Sequence, residues 1–228
     1  MIRILFQGDS ITDGGRLKPV ECRWDKNHQI GHSYVYPIVG ALSRRHPGRY
    51  IFINRGLSGD TPASIRARWQ TDTLDEHPDV LSILLGINGN GKLDGQYPEG
   101  AETNLQHFEA DYRALVGSAV AQNPALTLIL MEPFALPVGP VALHYEDFMG
   151  VFRRKQTIVR RIAEDYGAIF LPIQDRLDAL VAETAPTLAA NGWEENPAAY
   201  WMWDGVHPTE PLHHFLAEIW LEAAGAIL

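Results

Sequence analysis

Five short runs of apolar, β-branched and aromatic residues punctuate this chain, at positions 2–6, 50–53, 80–85, 127–131 and 168–171. Each is near-continuously apolar rather than alternating, which is the pattern of a strand covered on both faces. The stretches between them have helical character. Residues 33–46, 61–71, 103–122 and 146–166 carry helix formers with apolar spacing, Thr61 offering an N-cap before Pro62 and Gly167 a C-cap after Tyr166. Leu212, Phe215, Leu216, Ile219 and Trp220 follow the i, i+3, i+4, i+7, i+8 spacing of a last helix, begun by Thr209 and Pro211. Strands alternating with helices predict an α/β fold around a parallel sheet.

With 228 residues, 46% of them hydrophobic, the chain can bury one substantial core, so positions 1–228 are expected to form a single domain. No repeat, low-complexity tract or linker divides it. Nineteen Lys and Arg stand against 28 Asp and Glu, a formal charge of -9 that disfavours a nucleic-acid partner. The single cysteine, Cys22, lacks both a disulfide partner and a metal-like spacing and reads as a bystander thiol. No apolar run approaches the roughly 18 residues of a membrane span, and the first strand follows Met1 almost at once, which leads us to expect a cytoplasmic protein without a signal peptide.

Residues 14–32, 88–102, 133–145 and 181–203 read as long loops leaving the carboxyl edge of the sheet, where open α/β sheets place their ligands. The chemistry-bearing residues fall at the same edge. Ser10 follows the first run in Gly8-Asp9-Ser10-Ile11-Thr12-Asp13. A serine on such a turn is ordinarily structural, and it becomes a nucleophile only with a base to take its proton and donors to hold the oxyanion. Asp204-Gly205-Val206-His207-Pro208 supplies a carboxylate able to hold the imidazole Nδ1–H while Nε2 faces the serine. Gly56, in Asn54-Arg55-Gly56-Leu57-Ser58-Gly59-Asp60-Thr61, and Asn88, in Leu85-Gly86-Ile87-Asn88, follow the second and third runs. The Ser10 and Gly56 backbone N–H groups and the Asn88 amide could form a three-donor oxyanion hole.

Other polar residues have plainer readings. Asp9 is expected to accept backbone N–H groups of the turn rather than to transfer protons. His213 and His214 point about 100° apart on a helix, which suits no shared metal ion. Gly8, Gly14 and Gly15 are followed by no phosphate-binding motif. Trp193, Trp201 and Trp203 cluster before the Asp/His segment, and Trp203, Trp201 and Phe134 are candidates to line a substrate pocket. Trp24 and Tyr36 are further candidates, with core packing as the alternative for all of them.

Gly8-Asp9-Ser10, Gly56 in its segment, Gly86-Ile87-Asn88 and Asp204 to His207 together resemble the four separated motifs of the SGNH hydrolases, the GDSL-type lipases and acylhydrolases. Order and spacing match across nearly the whole chain. The resemblance implies a three-layer α/β/α sandwich, a five-stranded parallel sheet in flavodoxin-like order, and an acyl-enzyme mechanism on Ser10, His207 and Asp204 with no cofactor and no metal. The run from Gln7 to Arg16, with Arg66 to Trp69, is similar to bacterial carbohydrate acetylesterases of the acetylxylan esterase kind. That implies removal of acetyl groups from sugars, such as xylo-oligosaccharides, with no membrane partner and with self-association. A lysophospholipase or thioesterase would share the same catalytic residues, and a non-catalytic flavodoxin-like binding module would use the same crevice. One position departs from the family: Gly89, followed by Asn90-Gly91-Lys92, stands where an aspartate commonly follows the asparagine. A glycine there suggests a backbone conformation that other residues resist.

Overall fold

A computed structural model of the chain describes residues 1–17, 26–89 and 100–225. Cys22, Trp24 and Asn90 to Lys92 lie outside the described residues. Five parallel strands form one sheet: β1 (Ile2–Gly8), β2 (Tyr50–Asn54), β3 (Val80–Leu84), β4 (Thr127–Met131) and β5 (Ile169–Leu171). Their spatial order, β2-β1-β3-β4-β5, is the flavodoxin-like order.

Successive side chains of a strand point to opposite faces, and here both faces are buried. Ile4 and Phe6 enter one hydrophobic cluster and Leu5 the other; Ile129 and Met131 part in the same way from Leu128 and Leu130. The strands are therefore apolar throughout rather than at every second residue.

The helices in chain order are α1 (Ser10–Asp13), α2 (Lys26–Ile30), α3 (Val35–Arg45), α4 (Pro62–Arg66), α5 (Ala101–Gln122), α6 (Gly139–Ala142), α7 (Tyr145–Asp165), α8 (Gln174–Leu188) and α9 (Glu210–Ala224). α3 and α9 cover one face of the sheet, where Trp220 packs on Phe6 at 5.4 Å between ring centroids. The Trp220 indole N–H also donates to Ser82 Oγ at 3.0 Å, satisfying the polar residue of β3. α4, α5 and the second half of α7 cover the other face. Among the described residues no helix is long and apolar enough to cross a membrane.

Four expectations are corrected, two of them by the short helices α2 and α6 inside the loops expected over 14–32 and 133–145. The helix expected over 61–71 ends at Arg66, and a π-helical turn follows over Gln70–Leu74. Thr61 does cap the start, within a reciprocal capping box with Ser64. The loop expected over 181–203 begins as helix, since α8 runs to Leu188. Only Gln174, Leu177 and Leu188 of α8 are buried and Pro186 lies inside it, so its apolar stripe is thin. Glu132, at the end of β4, fixes its start by accepting from the Ile173 and Gln174 N–H groups at 2.7 and 2.9 Å, an anion at a helix N-terminus.

Candidate active site

Ser10 opens a single helical turn where β1 ends. Asp9 caps that turn: its Oδ1 accepts from Ile11 N–H at 3.0 Å and its backbone carbonyl from Thr12 and Asp13 N–H at 3.1 and 2.8 Å. Asp9 thus has the structural role expected of it, and burial, with Asp60 nearby, pushes its carboxyl up to about 7.

From the other end of the chain comes a tight hairpin, closed by an antiparallel bridge between Met202 and Pro208. Asp204 Oδ1 accepts from the Val206 and His207 N–H groups at 3.0 and 2.7 Å, which leaves Oδ2 for His207 Nδ1 at 2.6 Å. The carboxylate sets the tautomer, so the proton sits on Nδ1 and Nε2 is the acceptor. Ser10 Oγ lies 2.8 Å from that Nε2. An imidazole so placed can receive a hydroxyl proton.

The three expected oxyanion donors do not stand alike. Among the described residues the Ser10 N–H has no protein acceptor. Asn88 Nδ2 donates to Asp60 C=O at 3.2 Å with one hydrogen, and an amide carries two. The Gly56 N–H, by contrast, already donates to Asn54 Oδ1 at 2.9 Å. Asn54 cannot easily turn away, because its Nδ2 donates to Thr12 C=O and Ile30 C=O at 2.7 and 2.8 Å. A Gly56 contact to an oxyanion must therefore be shared with Asn54. Gly56 itself is required by space, since a Cβ there would lie 2.5 Å from Asp13 N.

Several residues that fix the site escape the sequence reading. Arg16, buried beside Asp13, donates from Nε to Gly56 C=O at 2.9 Å. Arg68 binds the Asp60 carboxylate and so steadies the residue whose carbonyl holds Asn88. Lys155, on α7, donates to Gly86 C=O and Asn88 C=O. Arg16 and Arg68 fall within the stretches that carry the acetylesterase resemblance, and Asn54 leaves a sequence signal of its own, a polar residue closing an apolar strand. Gly89 has φ 98°, the left-handed conformation that its glycine suggested.

The aromatic candidates separate by burial. Trp203 is 63% exposed and stacks on His207 with ring centroids 5.0 Å apart and planes at 15°. Phe134 and Trp201, candidates for a pocket wall with core packing as the alternative, take the core position, Phe134 fully buried and Trp201 with its indole N–H on Thr184 Oγ1 at 3.2 Å. Trp193 is half-exposed and packs edge-on against Tyr200. Tyr36, also exposed, lines a cleft of about 570 Å³ with Leu17, His28 and His32.

His213 accepts from Tyr34 N–H at 3.1 Å through Nδ1, and burial, reinforced by His32, pushes its pKa down to about 4. Between pH 4 and 6.5 the unfolded chain protonates this histidine and the folded chain does not, so stability is lost as pH falls through that window. Discounted for partial solvent contact, the loss is about 2 kcal/mol. Asp9 titrates with the opposite sign over much of the same range, so wild type is best compared with His213→Asn. Urea unfolding at pH 6.5 and 4 should show a smaller acid loss in the variant, and equal losses would refute this account. Among the described residues no group of three or more His, Cys, Asp or Glu is assembled to hold a metal ion.

A parallel sheet in this order, with a hydroxyl, an imidazole and a carboxylate in series at its carboxyl edge, defines the class of a hydrolase. Residues 6–214 match the GDSL-like lipase/acylhydrolase family, and the chain belongs to it. It is 30% identical to an acetylxylan esterase of Geobacillus stearothermophilus over 226 residues, 98% of this chain and 94% of that protein. The crystal structure of the Geobacillus acetylxylan esterase superimposes with a TM-score of 0.74 at 31% identity, covering 98% of this chain and 94% of the other. A Parabacteroides merdae protein described as a GDSL-like lipase gives a TM-score of 0.81 at 34% identity, over 98% of this chain and 95% of its own.

Proposed function

We propose that this chain is a serine esterase that removes acetyl groups from carbohydrates, with xylo-oligosaccharides or related short sugars as substrates. The observation that carries the reading is the unbroken series from Ser10 Oγ through His207 to Asp204, at 2.8 and 2.6 Å. His207 Nε2 takes the Ser10 proton as Oγ attacks the acetyl carbonyl, and the resulting oxyanion is held by the Ser10 N–H and the Asn88 amide, with Gly56 sharing its N–H. His207 then gives the proton to the departing sugar oxygen, leaving an acetyl-serine. Water, deprotonated by the same imidazole, cleaves that ester to release acetate and restore the Ser10 hydroxyl.

The relatives support the acetyl ester and the roles of a serine and a histidine. The Geobacillus protein is named an acetylxylan esterase, and among its variants a serine-to-alanine and a histidine-to-alanine change are both described as catalytic mutants. Trp203 supports the sugar, because its exposed indole face beside the base is suited to stack on a pyranose ring. In a cytoplasmic enzyme the substrates would be short oligosaccharides rather than polymer.

Turnover of 4-nitrophenyl esters from acetate to laurate, set beside acetate release from acetylated xylo-oligosaccharides, tests the substrate class. We expect kcat/KM to fall steeply beyond short acyl chains and acetate to be released from the sugar. A laurate ester preferred over acetate would replace the carbohydrate reading with a lipase or thioesterase one.

A further inference from the structure

The segment that carries Asn88 leaves β3 over a cavity of about 220 Å³, lined by Thr61, Asn88, Asn104, Phe108, Asp111 and Lys155 among others. Lys155 reaches up from α7, 4% exposed, and its Nζ donates to Gly86 C=O at 3.1 Å and Asn88 C=O at 3.3 Å. The two carbonyls, separated by the bend that follows β3, both lie within reach of the one ammonium. The same ammonium stands 5.3 Å from the centre of the Phe108 ring.

Asn104, His107 and Asp111 of α5 line the same cavity, and Asp111 is committed to Arg66 of α4. Among the described residues no carboxylate pairs with Lys155, and burial alone pushes its pKa down to about 8. Burying a charge without a counter-ion is costly. Of the buried residues of α7 around it, Gln156 is satisfied by Pro133 C=O and Gln174 while Phe152, Ile158, Val159 and Ile162 are apolar, and a methionine would fill the position of Lys155 without that cost. What only the ammonium supplies is a fixed height for the two carbonyls, and with them for the Asn88 amide.

We propose that Lys155 is a positioning residue of the oxyanion hole, acting through the backbone of Gly86 and Asn88 to hold the Asn88 amide where the developing oxyanion needs it. The proposal rests on the serine-esterase reading above. A misplacement of about 1 Å in such a site costs up to about 100-fold, and outright loss of a donor about 100- to 1000-fold.

The test is a double-mutant cycle of Lys155→Met and Asn88→Ala, read in kcat and KM for 4-nitrophenyl acetate, with folding checked by thermal midpoint. Lys155→Met alone should lower kcat about 10- to 100-fold with KM within twofold, without lowering the thermal midpoint. In the Asn88→Ala background it should change kcat by less than twofold, because the amide it positions is gone. Lys155→Gln, which keeps a donor on a shorter stem, enters the same cycle if the methionine variant does not fold. A single variant with kcat within twofold of wild type, or an equal fall in both backgrounds, overturns the proposal. Ser10→Ala run alongside separates the two readings: if it stays active the esterase assignment fails, whereas an inactive Ser10→Ala beside a fully active Lys155→Met removes only the role of Lys155.

Discussion

Ser10→Ala is expected to lower turnover of 4-nitrophenyl acetate by about 10⁶-fold, the scale at which removal of a triad nucleophile acts. The substitution deletes one half-buried hydroxyl whose hydrogen bond is to His207 Nε2. Asp9 still caps the turn and Gly14 still closes it, because those contacts use Asp9 Oδ1 and the Ser10 backbone carbonyl. Fold and thermal midpoint should therefore survive while chemistry stops. The N–H donors and the Asn88 amide remain, so a residual rate about 10³- to 10⁴-fold above the uncatalysed one is expected. His207→Ala should fall about as far, and the double variant little further, since the two groups act as a unit. A Ser10→Ala enzyme that retained a tenth of wild-type turnover, after active-site titration to exclude contaminating esterase, would remove the nucleophile from the mechanism.

The second large effect belongs to Asp204→Asn, expected to cost about 10⁴-fold in kcat. The carboxylate accepts three hydrogen bonds, two backbone N–H groups on Oδ1 and the imidazole on Oδ2. Asparagine has only one oxygen, and the two backbone donors hold it in the Oδ1 position. Its NH₂ is then turned toward His207 Nδ1, which must become an acceptor, and the ring proton moves to Nε2. An Nε2–H cannot take the Ser10 proton. Turning the amide over would set its NH₂ against two backbone N–H groups, so the wrong tautomer is locked in. The hairpin keeps both backbone bonds, and Asp204→Asn should melt close to wild type, whereas Asp204→Ala should lose stability as well as turnover. A kcat for Asp204→Asn within tenfold of wild type would show that the carboxylate does not set the tautomer.

Much of this architecture was legible in the residues. The β1, β2 and β4 runs were readable because helices on both faces leave no polar alternation, and Thr61 and Gly167 marked helix ends through local chemistry that does not depend on tertiary context, whereas Thr209 stands at the start of α9 with its hydroxyl on Tyr200 C=O rather than on the helix. α8 was obscured because it buries only a thin seam and carries Pro186, so the period that reveals α9 is faint there. At the site, Ser10, His207 and Asp204 were readable because each sits in a short motif whose geometry is local. The residues that hold them are not local. Lys155 looks like any polar helix position until the fold sets it 67 and 69 residues from its partners, and Arg16 is 40 residues from the Gly56 carbonyl it binds. Phe134 and Trp201 erred in the other direction, since proximity to a motif along the chain does not say on which side of a strand end or hairpin a ring will lie.

The hairpin of Met202 and Pro208 meets the first turn after β1 across 197 residues of sequence. Ser10 and His207 therefore come together only when segments from both ends of the chain meet. In the esterase reading a form that lacks this pairing would be inactive, so the specific acetyl-ester activity of a preparation would scale with its folded fraction. Loop-closure entropy puts such distant contacts among the last to form.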